Sequence, residues 1–282
     1  MNGAFKHPLR VGARLTWLTV ELIWAMVRFI PCVLFRSGCS NLAARALWLQ
    51  AGCRRVLRIF NVQVHPSGPI PTQGLLVSNH LSYLDVLVLG ALAPSVFVAK
   101  REVKNWPIFG WFARLAGTLF AHRELRTQVG PLTRRLRTML EQGILVVLFP
   151  EGTSSDGRTI LPFKSALLEP ATDSSRPLSA CLIAYRLEDG DVGEEVCYWK
   201  DMTFVPHLFN LLSKRRIEAS LFFSGNLERN ANRKDLARKL HSEVFKLKIL
   251  PHDFVPELVG LIRNGSTSVR MLFSITSLLC SR

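Results

Sequence analysis

The chain has 282 residues, of which 48% are hydrophobic and 20% are charged. This length is enough for one large α/β domain or two small ones, and the composition excludes a disordered chain and a protein with many membrane spans. The net charge of +15 indicates an acidic partner, either nucleic acid or an anionic lipid surface. Because no zinc-finger spacing, RNA-binding aromatic signature or helix-turn-helix is recognisable, we expect a membrane surface and no nucleic acid.

The six cysteines are scattered along the chain, at positions 32, 39, 53, 181, 197 and 280, and none forms a C-x-x-C pair. Such spacing supplies neither a disulfide framework nor a zinc site and is typical of a reducing compartment. No other set of metal ligands is recognisable in the sequence. We therefore predict that the protein has no metal site.

Residues 1–60 form a basic and apolar N-terminal arm with nine Lys or Arg residues and a single acid, Glu21. Residues 15–35 are long enough to span a bilayer, but Glu21 and Arg28 would each cost about 2.5–3.5 kcal/mol at its centre. In a helix the charges fall on one stripe, formed by Arg10, Arg14, Glu21 and Arg28. The arm is therefore predicted to lie in the membrane interface or to dip into one leaflet rather than to span it.

The arm is expected to form two helices. Pro31 is predicted to break or kink the first helix, and Ser40 or Asn41 can cap a second helix over residues 41–60. No small-x-small site follows the first apolar stretch, so cleavage as a signal peptide is not expected. The alternative is a helical hairpin that packs on a soluble core and exposes a solvated basic face.

Beyond the arm, strand and helix patterns alternate. Strands are predicted over residues 61–65, 74–79, 95–99, 118–122, 144–149, 178–187 and 217–223. Helices are predicted over residues 82–92, 106–116, 128–141 and 233–248. This order predicts an α/β domain over residues 61–250, with a mixed, largely parallel sheet covered by helices. Residues 251–282 form a C-terminal extension whose role the pattern does not indicate.

The segment NHLSYLD, residues 79–85, stands where a buried strand ends and a helix begins. His80 and Asp85 would not share a face of one continuous helix. If His80 precedes the helix cap, however, the chain can fold back and bring the carboxylate of Asp85 to one ring nitrogen. Asp85 would then fix the tautomer of a histidine base and stabilise its imidazolium. The alternative is structural, because Ser82 and Asp85 also fit the [ST]-x-x-[DE] helix-capping pattern.

Three further segments end in polar side chains that can bind a substrate. Strand 144–149 delivers Glu151, Gly152 and Thr153, which can approach and hydrogen-bond substrate hydroxyls or form an ordinary polar turn. Arg123 ends another strand and can clamp a phosphate, although most such arginines are merely solvated. Lys100 ends its own strand in the same way.

Taken in order, these segments resemble the glycerolipid acyltransferase family, which includes the 1-acylglycerol-3-phosphate acyltransferases. The resemblance covers roughly residues 75–225, and four segments carry it: NHLSYLD, GTLFAHR at 117–123, FPEGT at 149–153 and PLSACLIAYRL at 177–187. It implies that His80 is the general base and Asp85 its partner. It also implies acceptor-binding roles for Arg123, Glu151, Gly152 and Thr153, and an N-terminal helical pair that embeds in one leaflet.

The implied reaction is transfer of a fatty acyl group from acyl-CoA or acyl carrier protein to the hydroxyl of a lysolipid. We expect no cofactor besides this thioester co-substrate, and a position at the cytoplasmic face of the inner membrane. No acyl-enzyme is required, and the lack of a G-x-S-x-G elbow argues against a serine hydrolase. The basic surfaces can bind membrane lipid or an acidic carrier protein.

Ser154 departs from the family pattern, in which phosphate-using members commonly carry arginine after E-G-T. This departure removes one candidate phosphate contact. The variant is similar to that of bacterial relatives that acylate lyso-ornithine lipid or other lysolipids. A lyso-ornithine lipid acyltransferase is therefore one alternative. A non-catalytic membrane lipid-binding protein with the same fold is another.

Overall fold

The computed structural model describes residues 7–34, 38–121 and 126–249. The chain divides after residue 248 into two units. The first unit contains every described residue except Ile249, and the rest of the second unit, including the predicted extension 251–282, lies outside the described residues. The predicted domain limits at residues 60 and 250 stay a prediction.

Within the described residues, seven strands form a single sheet in the order β1-β7-β6-β2-β5-β3-β4. The strands are β1 (Val62–Ser67), β2 (Gly74–Ser78), β3 (Val96–Lys100), β4 (Leu119–Ala121), β5 (Leu145–Leu148), β6 (Leu178–Leu187) and β7 (Ile217–Phe223). All neighbours pair in parallel except β6 and β7. The predicted mixed, largely parallel sheet is confirmed, and every predicted strand is present within about two residues of its expected ends.

Helices cover both faces of this sheet. They are α1 (Pro8–Leu34), α2 (Gly38–Phe60), α3 (Leu84–Leu92), α4 (Phe109–Leu115), α5 (Arg126–Glu141), α6 (Val192–Glu195), α7 (Phe204–Ser213) and α8 (Arg233–Ile249). Helices α1, α2, α3 and α7 pack on one face, whereas α5 and α8 pack on the other. Strand β2 is buried along its whole length, with Leu76 in the first layer and Leu75 and Val77 in the second. Burial on both faces explains why the central strands are continuous apolar runs.

Three helix boundaries differ from the sequence prediction by more than two residues. Helix α1 continues through Pro31 to Leu34; the proline removes its own helical N–H bond, to the carbonyl of Val27, and its exposed ring does not interrupt the helix. Helix α2 already begins at Gly38, so Ser40 and Asn41 lie in its first turn, where backbone N–H groups have no helical partner in any case. Helix α4 begins at Phe109 rather than at residue 106.

Ile108 is the physical reason for the late start of α4. Its φ of 62° is left-handed, which no α-helix accepts and which strains a β-branched residue.

Helix α7 was missed by the sequence prediction. Its signal was present, because Phe204, Leu208, Leu211 and Leu212 follow a helical spacing.

The charged stripe of α1 exists as predicted, but it contacts protein. Arg10 donates to the carbonyl of Ser213 at 2.9 Å, and Arg14 donates to the carbonyl of Leu212 at 3.0 Å. These carbonyls end α7, and the free carbonyls at a helix C-terminus attract cations. Glu21 pairs with Arg28 on α1 and with an arginine of α2.

The side of α1 that faces away from the core is apolar and exposed. It carries Trp17, Val20, Ile23, Trp24, Val27 and Ile30, each between 45% and 62% exposed. Among the described helices, none has the length and hydropathy required to cross a membrane.

Candidate active site

The functional segments lie at the carboxyl ends of β2 and β5. These strands are parallel neighbours, with Val77 opposite Leu148. The loops that follow them, residues 79–83 and 149–165, therefore leave the same edge of the sheet side by side, where functional groups of α/β proteins commonly meet. The amide of Ser155 donates to the carbonyl of His80 at 3.0 Å, which joins the two loops directly.

Asn79 fixes the start of the first loop. Its side-chain amide donates to the carbonyl of Ile183 at 2.9 Å, and its oxygen accepts from the backbone N–H of Ile183 at 2.7 Å. The side chain thus extends the β2–β6 ladder by one pair. The sequence prediction gave Asn79 no separate role, and no local pattern indicates a partner 104 residues away.

His80 and Asp85 meet as predicted. The distance from His80 Nδ1 to Asp85 Oδ2 is 2.8 Å, and the same oxygen accepts the backbone N–H groups of Leu81 at 2.6 Å and Ser82 at 3.0 Å. Because a carboxylate only accepts, Nδ1 carries the proton and Nε2 keeps its lone pair. Asp85 therefore binds the backbone turn before α3 and orients the imidazole, whereas the hydroxyl of Ser82 makes no capping hydrogen bond within the described residues. The catalytic role of the pair stays a prediction.

The two members of the pair differ in exposure. The side chain of Asp85 is completely buried, whereas that of His80 is 22% exposed. The ring of Phe149 stacks on the imidazole, with centroids 4.2 Å apart and planes 18° apart. The imidazole is thus held by a carboxylate at Nδ1 and by an aromatic ring on one face. This arrangement suits a general base whose orientation is fixed from behind.

The second oxygen of Asp85 has its own donor, which the sequence prediction missed. The hydroxyl of Tyr185 donates to Asp85 Oδ1 at 2.7 Å. Burial, and then the negative charge of Asp85, raise the pKa of Tyr185 well above its ordinary value, so the phenol stays protonated.

Glu151 lies beneath the same loop. Its Oε1 accepts the backbone N–H of His80 at 3.1 Å, and its Oε2 is buried without a hydrogen-bond partner among the described residues. Burial raises the pKa of Glu151 to about 8, and the charge of Asp85 contributes in the same direction. The hydrogen bond from the backbone amide of His80 opposes this rise. Glu151 is therefore largely protonated at neutral pH.

The remaining predicted binding residues fall into two groups. Gly152 has a φ of 75°, which permits the tight turn that exposes Thr153. The ammonium of Lys100 donates to Thr153 Oγ1 at 3.4 Å, so the end of β3 reaches the E-G-T turn. Arg123 lies outside the described residues, and its role stays a prediction.

Ser154 is engaged with protein. Its hydroxyl donates to the carbonyl of Tyr198, and the backbone N–H of Tyr198 donates to the carbonyl of Leu81 at 2.8 Å. The residues around Tyr198 thus connect both functional loops. In this chain the position after E-G-T carries a structural contact instead of a cation.

The part of the chain that carries these loops is similar to known proteins. The family model described as Acyltransferase matches residues 61–184. A lyso-ornithine lipid O-acyltransferase of Rhizobium meliloti is 33% identical over 214 residues, which cover 71% of this chain and 73% of the relative. The chain belongs to the acyltransferase family. A 1-acyl-sn-glycerol-3-phosphate acyltransferase of Neisseria meningitidis is also similar to this acyltransferase, being 35% identical over 176 residues that cover 58% of the chain and 68% of the relative.

The fold of the acyltransferase also has a solved counterpart. The crystal structure of the 1-acyl-sn-glycerophosphate acyltransferase of Thermotoga maritima superposes with a TM-score of 0.62 at 19% identity, covering 88% of this chain and 98% of that one. This likeness shows the shared fold. The family resemblance inferred from the four ordered segments is confirmed by the family model and by the Rhizobium meliloti relative.

An aromatic cluster, which the sequence prediction missed, flanks the site of this acyltransferase. Its rings are those of Tyr83, Trp106, Phe109, Tyr198, Phe204 and His207. Burial lowers the pKa of His207 to about 4, so this ring is neutral. Its Nε2 donates to the carbonyl of Cys197 at 3.1 Å, and its Nδ1 accepts from the hydroxyl of Tyr83 at 3.0 Å.

Proposed function

We propose that this acyltransferase moves a fatty acyl group from the thioester of acyl-CoA or acyl carrier protein to the hydroxyl of a lysolipid, with His80 as general base and Asp85 as its partner. The single observation that carries the proposal is the 2.8 Å contact between His80 Nδ1 and the fully buried Asp85. It leaves Nε2 as the basic atom, on the one member of the pair that is exposed. A purely structural role for this motif would not require an exposed, oriented imidazole.

The reaction needs one proton transfer and one exchange of bonds. The acceptor hydroxyl gives its proton to His80 Nε2, and its oxygen bonds to the thioester carbonyl carbon. The bond from that carbon to sulfur then breaks. The thiolate leaves readily, since a free thiol has a pKa of about 8.5, and it can take up the proton that His80 holds. Asp85 stabilises the transient imidazolium.

The acceptor-binding residues stay part of the proposal. Thr153 and Lys100, in contact at 3.4 Å, offer a hydroxyl and an ammonium near the loop of His80. Glu151, Gly152 and Arg123 complete the proposed set. We expect that no metal or other cofactor takes part.

Ser154 favours a second candidate for the acceptor. Its side chain binds the carbonyl of Tyr198, so this position brings no positive charge to a phosphate monoester. Lyso-ornithine lipid, named in the Rhizobium meliloti relative, has no such group to neutralise. It is therefore the alternative to 1-acylglycerol-3-phosphate as the lysolipid.

Membrane association is the second part of the proposal. The exposed apolar face of α1 is matched on α4 by Trp111, which is 62% exposed, and by Ile108 before it, which is 48% exposed. Trp48 of α2 contacts Phe29 of α1 and Phe112 of α4, with ring centroids 4.9 Å and 5.7 Å apart, so α2 connects the two helices that carry these apolar surfaces. We propose that they enter one leaflet at the cytoplasmic face of the inner membrane. Exposed apolar area of this kind marks a membrane or protein contact.

The experiment that tests the reaction uses the purified full chain with labelled acyl-CoA and labelled acyl carrier protein. Each donor is offered to lysophosphatidate, lyso-ornithine lipid and other lysolipids in detergent micelles. A labelled diacyl product from one acceptor identifies donor and acceptor together. Folded protein that yields no product from any pair, yet binds lipid vesicles, would reject the reaction and support the non-catalytic alternative.

A further inference from the structure

Asp85 is buried so completely that its charge depends on the donors around it. Its Oδ2 accepts three hydrogen bonds, from the ring of His80 and from the backbone of Leu81 and Ser82. Its Oδ1 accepts one hydrogen bond within the described part of the chain, from the hydroxyl of Tyr185. The two oxygens therefore differ, because the loss of one donor leaves Oδ2 with two hydrogen bonds and Oδ1 with none among the described residues. A buried carboxylate oxygen without a donor is costly.

The position of Tyr185 is itself fixed by the site. Asn79 binds both backbone groups of Ile183, two residues before Tyr185 on β6. On its other side β6 pairs with β7, with Tyr185 opposite Ala219. Two neighbours of β6 thus hold the strand, and the phenol binds the oxygen of Asp85 that the imidazole does not. Asn79, Asp85 and Tyr185 form one connected support behind His80.

We propose that Tyr185 is a positioning residue that keeps Asp85 ionised and aligned behind His80. This inference rests on the proposed role of His80 as base. Without the hydroxyl, the negative charge on Oδ1 is less stabilised, and the His80–Asp85 pair holds an additional proton more tightly. His80 can accept the proton of the acceptor hydroxyl only when this additional proton is absent. The carboxylate also loses the contact that sets its rotation, so the imidazole is less well oriented.

The titratable groups around Asp85 come from four segments. They are His80 before α3, Glu151 after β5, Cys181 and Tyr185 on β6, and Cys197 before α7. Burial raises the pKa of Cys197 to about 12 and that of Cys181 further, so neither thiol ionises in the range where activity is measured. Glu151, with a pKa of about 8, does ionise there and has to be controlled.

The test is the isosteric substitution Tyr185→Phe, measured as kcat, KM and pH profile against the preferred acceptor. We expect kcat to fall about tenfold with the KM for the acceptor unchanged, and the acid limb of the kcat/KM profile to move up by about one pH unit. The shift should persist in a Glu151→Gln background, in which the titration of Glu151 is removed. Circular dichroism and thermal unfolding establish that each variant is folded.

Tyr83→Phe is the matched control, because it also removes a buried phenol hydroxyl, but one that binds His207 instead of Asp85. It should lower stability and leave the acid limb in place. A double-mutant cycle completes the test: in an Asp85→Asn background, Tyr185→Phe should change kcat by less than about twofold. The inference would be overturned if the acid limb of the kcat/KM profile lay at the same pH in Tyr185→Phe and wild type. It would also be overturned if the effects of Tyr185→Phe and Asp85→Asn on kcat were fully additive. These outcomes leave the role of His80 intact, whereas activity that survives His80→Ala would reject the proposed function itself.

Discussion

The helix α1 and the loop of His80 use buried charge in opposite ways. In the loop, the buried carboxylate of Asp85 binds and orients the imidazole of His80, which is partly exposed. In α1, Arg14 and Glu21 turn inward to bind α7 and α2, and the surface that remains outside is apolar. Both regions satisfy their charges with backbone or ionic partners, as buried charges require. The comparison teaches that a charged stripe in a sequence shows where a helix is polar, but not whether that side faces solvent or protein.

The largest expected effect comes from a substitution in the loop of His80, which should abolish acyl transfer without changing α1. His80→Ala should lower acyl transfer by about 10³-fold or more, because the proton acceptor is removed and no other described residue lies at the same place. Binding to anionic phosphatidylglycerol vesicles should stay at the wild-type level, because α1 is untouched. The measurement combines labelled product formation with vesicle sedimentation. If activity and vesicle binding fell together, the two regions would not be separable.

The next effect concerns the outer face of α1. Replacing Trp17 and Trp24 with serine should weaken vesicle binding by roughly tenfold for each side chain, since about half of each indole is free to enter the lipid. Each substitution should also lower the free energy of unfolding by about 1 kcal/mol, because the other half of each indole is covered by protein. Circular dichroism establishes that the variants are folded. Phe245→Ser is the matched control: Phe245 is 47% exposed but lies on α8, which packs on the other face of the sheet. An equal loss of binding for this control would show that general hydrophobicity, and not the face of α1, drives the association.

These two regions also show what the sequence can predict. His80 and Asp85 are five residues apart, and their contact followed from the strand-to-helix junction between them. The strands followed from their apolar runs, and the order of the four motifs indicated the family. In contrast, Arg10 binds a carbonyl 203 residues away. The stripe was therefore visible in the sequence, but its partner was not.

The same limit applies inside the site. Tyr185 is 100 residues from Asp85, and Asn79 is 104 residues from Ile183. Both contacts depend on β6 lying beside β2, a neighbour relation that alternating strands and helices leave open. The left-handed backbone at Ile108, which delays α4, has no local signal either, since a β-branched residue rarely adopts it.

A third prediction uses pH to probe the buried carboxyl of Glu151. Its pKa of about 8 in the folded protein lies above the ordinary value of 4.5, so the folded state binds the proton more tightly than the unfolded chain does. The resulting stability is present at low pH and is lost as pH rises towards 8, on the order of 1 kcal/mol per pH unit. Glu151→Gln should remove this dependence.

The window for that measurement is pH 6.5 to 8. Below pH 6.5 the lowered pKa of His207 acts in the opposite direction, because the unfolded histidine takes up a proton that the folded one refuses. Urea unfolding at both ends of the window, for wild type and for Glu151→Gln, isolates the carboxyl. Parallel slopes in the two proteins would mean that Glu151 is ionised in the folded state.

The smallest effect distinguishes a structural Ser154 from one that binds the acceptor. Ser154→Ala removes one hydrogen bond, to the carbonyl of Tyr198, and should lower the free energy of unfolding by about 1 kcal/mol. The KM for the acceptor should not change, because the hydroxyl of Ser154 already donates its hydrogen bond to the carbonyl of Tyr198. The measurement pairs urea unfolding with acceptor titration. An increase in KM without loss of stability would place the hydroxyl against the acceptor, and the loop of His80 would then depend less on Tyr198 than the structure indicates.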